Sequence, residues 1–170
     1  RDHRLEPGDH VRVALKKRAR RMVTELLGLD RGSLNRIMLL GGGRTAEILA
    51  ERLAGRGVQV VIVERNPERA RTLAENLDDV LILEGDIADA DLLEEADVGR
   101  YDMVVALTGE DDANILACLY AKSVGAGETV AVVHRLALLS LLGQAGIDVA
   151  LSPRTATANG VLRFVRGDVA

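Results

Sequence analysis

Six short apolar runs, separated by segments of helical spacing, constrain this chain more than any other feature. The runs are Ile37–Leu40, Val58–Val63, Val80–Leu83, Met103–Leu107, Val130–Val133 and Ile147–Leu151. Each is nearly continuous rather than alternating, the pattern of parallel strands covered on both faces. Between them, Ala46, Leu49, Ala50 and Leu53 share one helical face, as do Ala70, Leu73, Ala74 and Leu77. The sets Asp89, Leu92, Leu93, Ala96 and Leu138, Leu141, Leu142, Ala145 repeat that spacing. Asn66 and Pro67 read as a cap and first residue of the second helix. Strict strand–helix alternation predicts an α/β fold: a doubly wound parallel six-stranded sheet with five intervening helices on its two faces, joined by right-handed crossovers.

Two segments stand outside the alternation. Residues 1–27 read as a turn (Glu6–Asp9), a strand (His10–Leu15) and an amphipathic helix carrying Ala19, Met22, Val23, Leu26 and Leu27 on one side. A lone strand and helix cannot close a core, so residues 1–27 are expected to be the last piece of a preceding domain. Gly28–Asn35 is then a linker, and residues 36–170 form the main domain. The stretch after Pro153 is helical in pattern but apolar on more than one side, with Ala156, Val161, Leu162, Phe164 and Val165. One sheet face cannot cover all of these, so a dimer-forming helix is expected there.

Composition narrows the function. A net charge of −4 gives no electrostatic reason to expect nucleic acid, and the single basic run, Lys16–Arg21, reads as a solvated helix face. Aromatics at 2% leave no stacking platform for bases. No apolar run approaches the ~18 residues of a membrane span. One cysteine, Cys118, excludes an internal disulfide and a multi-cysteine metal site, which fits a reducing cytoplasm. His3, His10 and His134 form no ligand spacing.

The sharpest local signal is Gly41-Gly42-Gly43-Arg44-Thr45-Ala46, a G-x-G-x-x-G/A pattern placed directly after a strand and directly before a helix. Gly41 permits the tight turn, Gly43 removes the Cβ that blocks a phosphate, and Ala46 lets the helix pack on the strand. The first-turn amides and the helix dipole then face an anion. Glu64 ends the second strand, 23 residues beyond Gly41, where a Rossmann-like nucleotide fold carries the acid that takes the ribose hydroxyls. A carboxylate there repels a 2′-phosphate and favours NAD over NADP, while Arg65 blurs the preference, pairing with phosphate or lying against adenine. Glu84–Asp86, Thr108–Asn114 and His134–Arg135 all follow strands, at the sheet edge where ligands bind. Asp86 is placed for the adenine edge, Thr108 faces the glycine turn, and Arg135 is placed to neutralise a phosphate. Asp111, Asp112 and Asn114 either meet the ligand or cap and compensate the following helix; both readings stay open.

Catalytic partners are hard to find. Tyr101 is followed four residues later by Val105 and Tyr120 by Val124, so the Tyr-x-x-x-Lys of short-chain reductases is missing. Only 19 residues follow Leu151, too few for a substrate domain. His134 has no carboxylate partner identifiable from the sequence, and Cys118 reads as a buried inert thiol. Binding without turnover points to a sensor. The alternative is an NAD-dependent oxidoreductase whose substrate site is completed by another chain or lobe.

The segments GGGRTAEILAERL, VIVERNPERARTLAENL, LILEGDIADADLL, VVALTGEDDANILACLYAKSVGA and GIDVALSPRTATANGVLRFVRGD closely resemble the TrkA family, the KTN/RCK-type nucleotide-binding subunits of Trk potassium uptake systems. The resemblance covers about residues 36–168, and the opening LEPGDHVRVALKKRARRMVTELLG (Leu5–Gly28) resembles the end of an RCK C-type lobe. It implies strand order 3-2-1-4-5-6 and binding of NAD(H), in some relatives ATP or ADP. It also implies a dimer assembled into a gating ring, peripheral to the inner face of the membrane through a Trk channel subunit. Carried onto this chain, the pocket is Gly41, Gly43, Arg44, Thr45, Glu64, Arg65, Asp86, Ile87 and Thr108, with Arg135 beside it. Ala46 stands where many relatives have a third glycine, which the packing argument tolerates.

Overall fold

In the computed structural model, residues 34–165 are described. The expected lobe remnant at 1–27, most of the expected linker and the basic run at 16–21 lie outside the described residues. The elements are β1 (Arg36–Leu40), α1 (Arg44–Ala54), β2 (Gln59–Glu64), α2 (Pro67–Asn76), β3 (Val80–Glu84) and α3 (Ala90–Glu95). They continue with β4 (Met103–Ala106), α4 (Asp111–Ser123), β5 (Glu128–Val132), α5 (Leu139–Leu142), β6 (Val149–Leu151) and α6 (Pro153–Val165). The strands form one sheet in the order 3-2-1-4-5-6, and every pairing is parallel. The expected α/β doubly wound architecture is the observed one.

Period-two alternation within each strand divides the core in two. Ile37 and Leu39 of β1 pack with Val60, Ile62, Ala46, Ala50 and Leu73 on the face covered by α1 and α2. Met38 and Leu40 pack with Val61, Val63, Val104, Leu93, Ala117 and Ala121 on the face covered by α3 and α4. Each fully buried aliphatic side chain contributes roughly 1.5–3 kcal/mol. Apolar continuity therefore marks the central strands, whereas the edges are less covered: Leu81 of β3 and Leu151 of β6 are exposed.

Two helical expectations are corrected. The fifth crossover is a 3₁₀ turn at Leu136–Leu138 followed by the single turn of α5, not a full helix. Gly143 ends α5 and Gly146 takes φ +98°, so Leu142 alone is buried while Leu141 is exposed. Asp89 is a cap rather than a face residue: its carboxylate accepts from the Asp91 amide at 3.0 Å. The Asn66 cap is as expected, accepting from the Arg69 amide at 2.9 Å with Pro67 opening α2.

The start of β1 depends on a carboxylate 66 residues away. Asp102 Oδ2 accepts from the amides of Asn35 (2.7 Å) and Arg36 (2.9 Å), at the point where β1 enters the sheet. The Arg36 amide, then that of Asn35, holds the Asp102 carboxyl below the ordinary carboxylate range. A depressed carboxyl stabilises the fold above its unfolded pKa of about 4, and the benefit fades as pH falls through the folded value. Asp102→Ala is therefore predicted to lower unfolding free energy by about 1–3 kcal/mol near neutral pH. In urea titrations the gap from the unsubstituted chain should narrow as pH falls below about 4.

Candidate nucleotide site

The glycine turn is built where β1 runs out between its two neighbours. Gly41 takes φ +103°, a conformation side chains rarely adopt, and donates its amide to Val63 O at 2.8 Å. A Cβ on Gly41 would lie 2.8 Å from Thr108 Cγ2, and one on Gly42 would lie 2.5 Å from Leu73 Cδ1. Gly43 is different. Its φ of −63° suits any residue and a Cβ there meets nothing within 4 Å. Neither backbone strain nor internal packing accounts for a glycine at 43, which is what a surface kept open for an incoming phosphate requires.

Beside the turn lies a cleft of about 410 Å³ lined by Gly41, Gly42, Gly43, Val63, Glu64, Arg65, Gly85, Asp86, Ile87, Leu107, Thr108, Gly109, Glu110 and Ala113. It opens at the carboxyl ends of β1, β2, β3 and β4, around the point where strand order reverses. Seven residues singled out from the sequence meet here: Gly41, Gly43, Glu64, Arg65, Asp86, Ile87 and Thr108. Glu64 is held rigidly, with Oε2 accepting from the Gly42 amide (2.7 Å) and Oε1 from the Asn66 amide (2.8 Å). Asp86 Oδ1 accepts from the Ala88 amide at 2.9 Å, and Ile87 is buried in the core cluster that borders the cleft.

The other expected residues sit elsewhere. Ala46, in the first turn of α1, is fully buried against the sheet, in the packing role expected of it. Arg44 and Thr45 are exposed on the first turn of α1 and do not line the cleft; Arg44 pairs with Glu47 at 2.9 Å. Arg135 is not brought to the cleft at all. Its guanidinium is captured by Asp111 (3.3 Å) and Asp112, because the loop after β5 folds onto the first turn of α4.

That capture settles the acidic cluster. Neither Asp111 nor Asn114 caps α4, whose N-cap position is Glu110. Asp111 instead accepts from the amides of His134 (2.8 Å) and Arg135 (2.9 Å) and lies 3.0 Å from His134 Nδ1. Burial is the largest single influence and opposes ionisation. The amides of His134 and Arg135, with their side chains, outweigh it together and hold Asp111 far below the ordinary range. His134 thus has the carboxylate partner that the sequence did not reveal, but both belong to a loop clamp outside the cleft lining. Fully buried Asn114 tacks the β4 and β5 ends together. It accepts from Thr108 Oγ1 (2.5 Å) and Thr108 N (3.1 Å), and donates to Val132 O (2.8 Å) and Thr108 O (3.0 Å).

Sequence reading missed Arg69. From α2 it donates to Gly42 O at 2.8 Å and pairs with the nearly buried Glu47 at 2.9 Å. Arg69 first, then Arg44, holds Glu47 below its ordinary range, so the acid beside the glycine turn is paired on two sides. No linear pattern joins Arg69 to a glycine 27 positions earlier. Glu110, part of the Thr108–Asn114 segment expected at the ligand edge but not singled out within it, also lines the cleft.

A family model described as the TrkA-N domain matches residues 37–153. The chain belongs to the TrkA-N domain family. The Trk system potassium uptake protein TrkA of Vibrio alginolyticus is 38% identical over 163 residues, 95% of this chain and 35% of the relative. TrkA of Halomonas elongata is 36% identical over 167 residues, 97% of this chain and 36% of the relative. The chain thus spans about a third of the length of these curated relatives. Among solved structures, the TrkA-N domain of the inner membrane protein ybaL from Escherichia coli aligns with TM-score 0.69 at 18% identity, covering 78% of this chain and 98% of that one. The GsuK channel bound to NAD aligns with TM-score 0.61 at 24% identity, covering 71% of this chain and 22% of that one. These structural likenesses establish a shared fold.

Cys118 of this TrkA-N domain faces the core, with Sγ 3.5 Å from Val130 O. Burial pushes its thiol up to about 12. Thiol reagents at pH 8 should leave the native chain unlabelled over hours and modify one thiol per chain in denaturant. Rapid native labelling would show the helix α4 to open locally.

Proposed function

We propose that this chain is the nucleotide-binding part of a regulatory subunit of a Trk-type potassium uptake system, taking NAD(H) and, as alternative ligands, ATP or ADP. Gly43 carries this reading: a glycine with ordinary backbone angles and open space at its Cβ, on the turn before α1. In this reading the diphosphate lies over Gly41 and Gly43 and meets the first-turn amides of α1 at Arg44 and Thr45, whose side chains stay outside the cleft lining. Glu64 keeps acceptor capacity for the ribose, Asp86 and Ile87 border the adenine, and Arg65 and Thr108 form the walls. GsuK structures are described as bound to NAD and as bound to ADP, and the curated relatives are potassium uptake proteins, which supports the same assignment here.

The bound nucleotide biases the shape of a cytoplasmic assembly that meets the inner face of the membrane through a Trk channel subunit. No described helix is long and apolar enough to cross a membrane, in keeping with a peripheral role. In this reading the site binds the nucleotide without turning it over. Val161, Leu162 and Val165 of α6 are exposed and apolar, and pairing of this helix with a second copy covers them. Neither nucleic acid nor metal enters this reading.

Calorimetry with NADH, NAD, ATP and ADP tests the assignment. Saturable binding is expected, and Gly43→Ala should weaken it about tenfold or more while unfolding free energy changes by less than about 1 kcal/mol. No binding at millimolar nucleotide overturns the reading, as does NADH oxidation with carbonyl substrates that His134→Ala abolishes. For assembly, sedimentation should give a dimer for the unsubstituted chain, and a monomer for the Leu162→Glu, Val165→Glu double variant.

A further inference from the structure

Resting on the nucleotide reading above, we infer that Glu110 is a specificity-determining residue that makes the site reject dinucleotides bearing a 2′-phosphate. Arg65 is the one cation among the described residues lining the cleft; Glu64, Asp86 and Glu110 supply three carboxylates. Arg65 directly follows the fixed acid Glu64, where a guanidinium is positioned to accept a phosphate on the adenosine ribose. Its guanidinium is already taken, by Glu110 Oε1 at 2.8 Å.

Glu110 is set up for this contact. It stands at the N-cap of α4, yet its side chain makes no capping bond. Its backbone is fixed to Thr108, with the amide 3.2 Å from Thr108 Oγ1, while its carboxylate reaches across to the end of β2. The bridge therefore joins two walls of the cleft that are 45 positions apart in the chain.

A ribose with free hydroxyls needs only the acceptors of Glu64. A 2′-phosphate carries nearly two negative charges and would sit beside Glu64, with Arg65 as the only cation among the described cleft-lining residues to answer it. Recruiting Arg65 means displacing Glu110 and leaving a third carboxylate facing the phosphate. Both partners are more than half exposed, so the bias is graded and screened by salt. Glu64 sets the preference, and Glu110 prevents Arg65 from reversing it.

The test measures dissociation constants for NADH and NADPH on the 170-residue chain, Glu110→Gln, Arg65→Gln and the double variant, at low and high salt. Glu110→Gln should raise the ratio of NADPH to NADH affinity about tenfold, equivalent to about 1.4 kcal/mol. The gain should shrink at high salt and disappear in the double variant. NADH binding with an unchanged ratio in Glu110→Gln, or a gain that survives removal of Arg65, overturns this inference alone. Failure of the unsubstituted chain to bind any of NADH, NAD, ATP and ADP overturns the nucleotide reading and this inference with it.

Discussion

Everything in the candidate site hangs on how the backbone from Gly41 to Gly43 is held. Glu64 takes the Gly42 amide and Arg69 takes the Gly42 carbonyl, while the Gly41 amide bonds the last turn-facing carbonyl of β2. The turn is clamped by β2 and α2 and pressed against Thr108 from the other side. The amides of Gly41 and Gly42 are spent on these internal contacts, which fix the backbone that leads into the first turn of α1, whose amides have no partner within the helix. The same clamping explains why Gly41 and Gly42 tolerate no side chain for structural reasons, whereas Gly43 is free of any such constraint.

The same economy governs the charges. Glu47 stands in the first turn of α1, where the helix dipole favours a carboxylate, and Arg44 and Arg69 both pair with it. Asp111 and Asp112 consume Arg135, and Glu110 consumes Arg65. Cationic side chains that a linear reading assigns to phosphates are thus engaged within the protein.

The fold was legible because a parallel sheet demands apolar continuity in its strands and helical periodicity between them, and both survive in the linear pattern. Strand limits agreed to within about two residues for β1 to β5. Legibility failed where exposure broke the correlation: Leu141 fits a helical stripe yet faces solvent, because Gly143 and Gly146 cut the helix to one turn. In the site, the glycines, Glu64, Asp86, Ile87 and Thr108 could be placed because each lies at, or within three residues of, the carboxyl end of a strand. Arg69 and the His134–Asp111 contact could not, because they join residues separated by 27 and 23 positions and depend on how α2 and the β5 loop pack.

By itself the sequence determined the order and type of the elements, the position of the tight turn and the acid that faces it. These follow from local properties: side-chain branching, hydrophobic period and the conformational range of glycine. Tertiary structure alone decided which cations remain available to a ligand. An arginine's role is settled by whichever carboxylate lies within about 3 Å, and that distance belongs to the packed sheet rather than to the chain.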